Sequence, residues 1–163
     1  MSLGLTDDQR SLADSVAEWA RARATTDVVR RAEEAGPGVF DETWASLAGM
    51  GLVTIAVPEH LGGGGGTVLD LACALEACAA SLVPGPLLST AVAVTAMAGS
   101  EPSDAAAGVV RAVVDGSAIL GLALEAGEVA VDGQGCLDGL LPAVWGAGST
   151  THALVPTAED RWF

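Results

Sequence analysis

The run Val57-Pro58-Glu59-His60-Leu61-Gly62 passes through consecutive glycines, Gly62 to Gly66, into a very apolar segment that ends at Val83. A proline cannot donate a backbone hydrogen bond, and glycine admits backbone angles that other residues avoid. An extended entry, a proline stop and a glycine turn therefore predict a rigid corner in front of a helix opened by Thr67. Residues 68–83 carry only Asp70, Glu76 and Ser81 as polar members, so this helix is expected to be enclosed on most sides.

Helical signals surround the corner. Thr6-Asp7-Asp8-Gln9 reads as a capping box, and Leu12, Val16 and Trp19 follow it at helical spacing. Thr25 or Thr26 is placed to cap a short second helix that Gly36-Pro37-Gly38 ends, and Asp41 to cap a third carrying Trp44, Leu47 and Ala48 inward. Leu52, Ile55 and Val57 alternate as a short extended run into Pro58. Pro84-Gly85-Pro86 forces a turn before a fifth, largely buried helix over 87–98. Ser103 or Asp104 caps a sixth that ends near Asp115-Gly116.

Beyond that point the pattern changes. Segments 118–124, 128–131 and 153–155 are short and β-prone, and glycines separate them. The fold class expected is mainly α: an N-terminal helical bundle over 1–116, then the beginning of a small β-barrel-like domain over 117–163. Arg161-Trp162-Phe163 ends the chain inside an apparent strand. Two aromatics on an unpaired edge invite aggregation, so further chain or a covering partner is expected there.

Composition removes several function classes. With 7 Lys+Arg against 21 Asp+Glu, the net charge of −14 leaves few cations to displace phosphate counterions, which argues against nucleic acid. It equally opposes an anionic membrane surface, and a pyrophosphate would need backbone N–H groups or a second chain. Glu76, Pro84 and Pro86 break the longest apolar stretches, so no membrane span is expected despite a positive mean hydropathy. Residues 1–10 lack the basic-then-apolar pattern of a secretion signal, and a cytoplasmic location is expected. Cys73, Cys78 and Cys136 have neither disulfide-framework nor zinc spacing; the first two read as small core residues. No metal site is expected.

The ordered set of five segments resembles the acyl-CoA dehydrogenase family over essentially all 163 residues. They are Leu5-Thr6-Asp7-Asp8-Gln9-Arg10, the run from Trp44 to Leu52, Val57-Pro58-Glu59-His60-Leu61-Gly62-Gly63, the run from Leu82 to Thr90, and Asp115-Gly116-Ser117. The resemblance implies a helical domain, a middle β-domain and a C-terminal four-helix domain, with assembly into tetramers. It implies FAD as cofactor, acyl-CoA as substrate, and oxidation of the Cα–Cβ bond by a carboxylate base and the flavin.

Two departures bear on function. Where the family has an Ala-Leu-Thr-Glu-Pro type motif and a following Gly-Ser-Asp, this chain reads Ala123-Leu124-Glu125-Ala126-Gly127, without a hydroxyl. Where the family has Gly-x-Lys, an aromatic and a Ser or Thr, the matching run is Gly139-Leu140-Leu141-Pro142-Ala143-Val144-Trp145. An indole at the hydroxyl position is expected to block the flavin slot. The resemblance thus makes Leu124, Glu125, Val144 and Trp145 the candidate cofactor-binding positions. It supplies no catalytic residue, because the family's glutamate lies in the C-terminal domain.

Other suggestive residues have plainer readings. The pentaglycine lacks the Gly-Lys-[Ser/Thr] of a phosphate loop and is read as a turn. His60 is expected to pack or hydrogen-bond at its turn, and His152 lacks a carboxylate partner at useful spacing. Ser149-Thr150-Thr151 is a loop before a strand, and Glu76 points along a groove or to solvent. Trp19 and Trp44 anchor the core, while Trp145 and Trp162 suit either an interface or the β-region. The leading functional reading is a non-catalytic or partly degenerate subunit that pairs with a homologous acyl-CoA dehydrogenase subunit in a heteromeric flavoenzyme of lipid or steroid degradation. Alternatives are the N-terminal part of an active FAD-dependent enzyme, self-assembling, and a helical interaction module without a redox role.

Overall fold

The computed structural model describes residues 4–125, 127–157 and 161–163. Among these residues six α-helices come first: α1 (Asp7–Ala22), α2 (Thr25–Ala35), α3 (Asp41–Gly49), α4 (Val68–Ala80), α5 (Leu87–Gly99) and α6 (Asp104–Val114). Four short strands follow: β1 (Leu120–Leu122), β2 (Glu128–Val131), β3 (Leu137–Leu140) and β4 (His152–Leu154). The expected mainly α architecture followed by a β-region is what the chain forms.

Two capping boxes lock α1 to α4. Thr6 accepts from the Gln9 amide at 3.2 Å while Gln9 Oε1 accepts from the Thr6 amide at 3.0 Å. Asp70 Oδ2 accepts from the Thr67 amide at 2.8 Å and from its hydroxyl at 2.7 Å. Gln9 Nε2 then donates to Asp70 Oδ1 at 2.8 Å, joining the two N-termini. The Gln9 amide is the main reason that the Asp70 carboxyl sits below its ordinary 3.8, and the Thr67 donors add to it. A depressed folded-state pKa stabilises the fold above the unfolded-state value and is lost as pH falls through the folded one. Asp70→Asn is therefore expected to lower the melting temperature near neutral pH. The wild-type and variant melting curves, followed by circular dichroism, should converge as pH drops below 3.8.

The core runs from α1 through the corner to α5, α6 and β1. Val16, Leu47, Val57, Val94 and Val110 are all fully buried within it. Trp44 is buried as expected, whereas Trp19 is half-buried and donates to Ser46 Oγ at 3.1 Å. Burial of the Cys78 thiol pushes it up to about 11, which makes it an inert packing group.

Several local expectations are corrected. Leu52 to Val57 is not extended: Gly51 takes a left-handed φ of 68°, and a 3₁₀ turn over Leu52–Thr54 buries Leu52, Val53 and Thr54 together. A second 3₁₀ turn, Glu59–Leu61, follows Pro58 and leaves His60 exposed rather than packed. Helix α2 begins after Ala24, which sits at φ 48° without a side-chain cap; the Thr25 hydroxyl instead donates to the Ser81 carbonyl at 2.7 Å. Phe40, not Asp41, is the N-cap of α3. Helix α4 is not enclosed on most sides, because Val68, Leu69, Ala72 and Glu76 all face solvent.

The β-region forms two small sheets. β1 pairs in parallel with β4, and β2 pairs antiparallel with β3, which the sequence reading did not separate from its surrounding loops. The C-terminal aromatics do not lie on an unpaired edge. Val155 and Phe163 exchange backbone hydrogen bonds at 2.7 and 2.9 Å, and the Arg161 guanidinium stacks over the Phe163 ring at 4.8 Å.

Candidate functional site

The glycine run carries the corner rather than a ligand. The amides of Gly63, Gly64, Gly65 and Gly66 donate to the carbonyls of Pro58, Thr54, Val57 and Ile55, at 3.2, 3.0, 2.9 and 2.8 Å. Every donor that a phosphate would need is thus engaged internally, and the reading as a turn holds.

An open cleft lies where the start of α5 meets the loop after β3. It measures about 610 Å³ and is walled by Phe40, Pro86, Leu88, Ser89, Val144 and Trp145, with residues 146–149 closing one side. The Trp145 backbone is held in place: its amide donates to Leu122 O at 2.9 Å and its carbonyl accepts from Leu122 N at 3.1 Å. Gly146 turns the chain at φ 80° directly over α5, and a Cβ there would lie 2.5 Å from Ser89 Oγ. Gly121 lets Val144 approach β1, since its own Cβ would meet Val144 Cγ1 at 3.0 Å. Turn geometry therefore delivers Val144 and Trp145 to the cleft, with the indole 48% exposed.

Leu124 and Glu125 go elsewhere. Both follow the end of β1, both are exposed, and neither forms a wall of the cleft. Of the four positions singled out, the fold thus brings together two. The remaining wall residues were not identified from sequence. Their signal was the Pro84-Gly85-Pro86 turn, which sets the start of α5, together with the glycine at 146 that must pass close above it.

The cleft's chemistry is neutral. None of the chain's seven cationic residues lines it, and its side-chain polar groups are the hydroxyls of Ser89 and Ser149 and the Trp145 indole N–H. Ser89 Oγ already donates to Pro86 O at 3.1 Å. The other polar candidates are structural: Thr151 Oγ1 accepts from Ile119 N at 3.0 Å, and its contact with His152 Nδ1 at 2.9 Å engages that ring. Among the described residues no cluster of His, Cys, Asp or Glu could hold a metal ion. No helix among them is long and apolar enough to cross a membrane.

The helical region carries the family signature. A family model for the acyl-CoA dehydrogenase N-terminal domain matches residues 6–106. The chain belongs to the acyl-CoA dehydrogenase family. Acyl-CoA dehydrogenase FadE34 of Mycobacterium tuberculosis is 32% identical over 166 residues, covering 97% of this chain and 22% of that protein. Acyl-CoA dehydrogenase IpdE2 of the same organism is 32% identical over 120 residues, 73% of this chain and 37% of that one.

Among solved structures, a subunit of the ChsE4-ChsE5 complex from Mycobacterium tuberculosis superposes with a TM-score of 0.82 at 28% identity, over 96% of this chain. A variant of the Tcur3481-Tcur3483 steroid ACAD gives 0.77 at 31% identity, over 93%. An FAD complex of PigA, at 19% identity and TM-score 0.74, shares the fold. The chain spans 45% of each of these three, less than half their length.

Family membership implies a flavin dinucleotide, which sets a concrete test of fit. Such a group needs cations or free amides for its pyrophosphate and hydrogen-bond donors along its ring. The cleft offers no cation, carries the Trp145 indole in its wall, and receives no wall from Leu124 or Glu125. These residues do not fit a complete flavin site.

Proposed function

We propose that this chain is a non-catalytic subunit of a heteromeric, flavin-dependent acyl-CoA dehydrogenase, organised as a helical domain over 1–116 and part of a β-domain over 117–163. In this reading a homologous partner subunit holds the FAD and supplies the base that removes the substrate's α-proton. The observation that carries it is Trp145: a fixed backbone sets an indole in the wall of an uncharged cleft, at the position where the family resemblance calls for a Ser or Thr. Two further facts support it. The structural relatives are described by name as the ChsE4-ChsE5 complex and the Tcur3481-Tcur3483 steroid ACAD. The net charge of −14 also disfavours self-association relative to pairing with a less acidic homologue. A bulky acyl-CoA thioester, a steroid side chain among them, is the substrate class these relatives suggest.

The test is an oxidation assay with acyl-CoA thioesters and an artificial electron acceptor. The purified chain alone should show no turnover, and the chain coexpressed with a homologous partner should be active. Turnover by the chain alone, as a homo-oligomer, would refute the proposal.

A further inference from the structure

Helices α1 and α4 are tied together at both ends. The Gln9–Asp70 bond joins their N-termini. At the other end the Thr25 hydroxyl, just past α1, donates to the carbonyl of Ser81, the C-cap of α4, at 2.7 Å. This second tie lies between two unusual residues. Ala24 takes φ 48° and Leu82 takes φ 49°, the two non-glycine residues with positive φ among the described residues. A left-handed angle presses Cβ toward the following carbonyl, so glycine usually fills such places. The end of α4 is bonded as a glycine-terminated helix would be: Leu82 N donates to Ala79 O at 3.1 Å and Val83 N to Cys78 O at 2.9 Å. In a chain with 21 glycines, a leucine nevertheless holds that place.

Each strained residue opens a segment that leads to the cleft. After Ala24, α2 buries Thr25 and Val28 in its first turn, and the chain continues through a 3₁₀ turn to Phe40. After Leu82, a short turn leads to Pro86, Leu88 and Ser89. All four of these end points wall the cleft together with Trp145. Strained backbone persists only where its surroundings over-determine it, and residues at element ends are where hinges absorb changes of angle. The bond that spans the two hinges is Thr25–Ser81.

We propose that the Thr25–Ser81 hydrogen bond is a latch on the cleft wall. While it is made, Ala24 and Leu82 are held in their left-handed forms and the wall is fixed. When it breaks, both residues relax, and α2 and the turn after Leu82 move together, shifting Phe40 and Leu88 relative to Trp145. Both hinges and the bond lie within the helical region matched over residues 6–106. The latch holds whether or not the cleft takes a flavin, so its test uses neither flavin nor acyl-CoA and fails separately from the function proposed above.

Residue-resolved amide hydrogen exchange of the whole chain reads the latch. Thr25→Val keeps the side chain's shape and removes the donor. Exchange over 27–35 and at Leu82, Val83 and Thr90 should rise together by about tenfold, the worth of one hydrogen bond, while α6 stays unchanged. Thr25→Ser keeps the hydroxyl and should retain the wild-type pattern. Adding Ala24→Gly and Leu82→Gly to Thr25→Val removes the strain and should return exchange toward wild type. With 5-fluorotryptophan incorporated, the Trp145 resonance, assigned by its loss in Trp145→Phe, should shift in Thr25→Val and hold in Thr25→Ser. A rise confined to α2 overturns the coupling, and an equal rise in α6 shows global destabilisation in place of a latch. Still faster exchange in the glycine-substituted chain overturns the strain argument, and an unmoved Trp145 resonance overturns the link to the cleft. Exchange unchanged in Thr25→Val would remove the latch altogether.

Discussion

Gly63→Ala should abolish the native corner, with the largest loss of stability of any single methyl added to this chain's glycine run. A Cβ at residue 63 would lie 2.3 Å from Val57 O and 2.4 Å from Val57 Cβ. Relief requires moving backbone rather than the end of a flexible side chain. That backbone cannot yield locally: Val57 is fully buried, and the carbonyls of Thr54, Ile55, Val57 and Pro58 are each tied to a glycine amide. Forced backbone displacement in a packed core belongs to the rare class of changes costing about 4 kcal/mol or more, against a total of about 5–15 kcal/mol for a domain. Urea unfolding should show the transition shifted to far lower denaturant or lost. Gly133→Ala is the matched control, since nothing lies within 4 Å of its Cβ; it should fall within about 0.5 kcal/mol of wild type. A Gly63→Ala chain as stable as the control would mean that the corner is not rigid.

The second large effect is at the junction of helices and strands. Thr90 is fully buried on α5, and its hydroxyl both donates to Leu120 O and accepts from Leu120 N, each at 3.1 Å. One side chain thus satisfies two backbone groups of β1 in a site that is itself fully buried. Thr90→Val keeps the shape and removes both bonds, leaving a buried N–H without its acceptor. A cost of about 2–4 kcal/mol is expected from two groups stripped of a partner. Thr90→Ser retains the hydroxyl, loses one methyl and should cost about 1 kcal/mol. Because Leu122 holds Trp145 from the same strand, tryptophan fluorescence should also change in Thr90→Val and stay near wild type in Thr90→Ser. Equal stability of the two variants would remove Thr90 as the tie between α5 and β1.

The sequence showed most where a local rule and the tertiary context agreed. Thr6–Gln9, Thr67 and Ser103 are N-cap signals whose side chains meet the expected amides. The uncharged α5 buries the face that carries Thr90, Ala91, Ala93 and Val94, as expected, while Leu88 and Val92 stay exposed. Elsewhere a long-range partner overrode the local reading. The Thr25 hydroxyl is drawn to Ser81, 56 positions away, so it does not cap α2. Leu52, Ile55 and Val57 read as a short extended run, yet after the left-handed Gly51 the chain winds into a 3₁₀ turn over Leu52–Thr54, and Leu52 and Val57 are both buried.

The same limit governs the cleft. Val144 and Trp145 could be singled out by resemblance, but their opposing wall comes from Phe40, Pro86, Leu88 and Ser89, more than fifty residues earlier. No spacing rule connects those positions. What joins them is the close passage of Gly146 over Ser89, a tertiary fact. Leu124 and Glu125, adjacent in the same motif, leave the cleft because β1 ends at Leu122 and the chain turns away.

The central claim is that the flavin resides in a companion subunit. Its most direct measurement is the flavin content of the coexpressed complex, read from visible absorbance and from the amount of each subunit. Flavin equimolar with the partner alone, and a colourless protein when this chain is purified by itself, is the result predicted. Flavin equimolar with the sum of both subunits, or a yellow preparation of this chain alone, would contradict it.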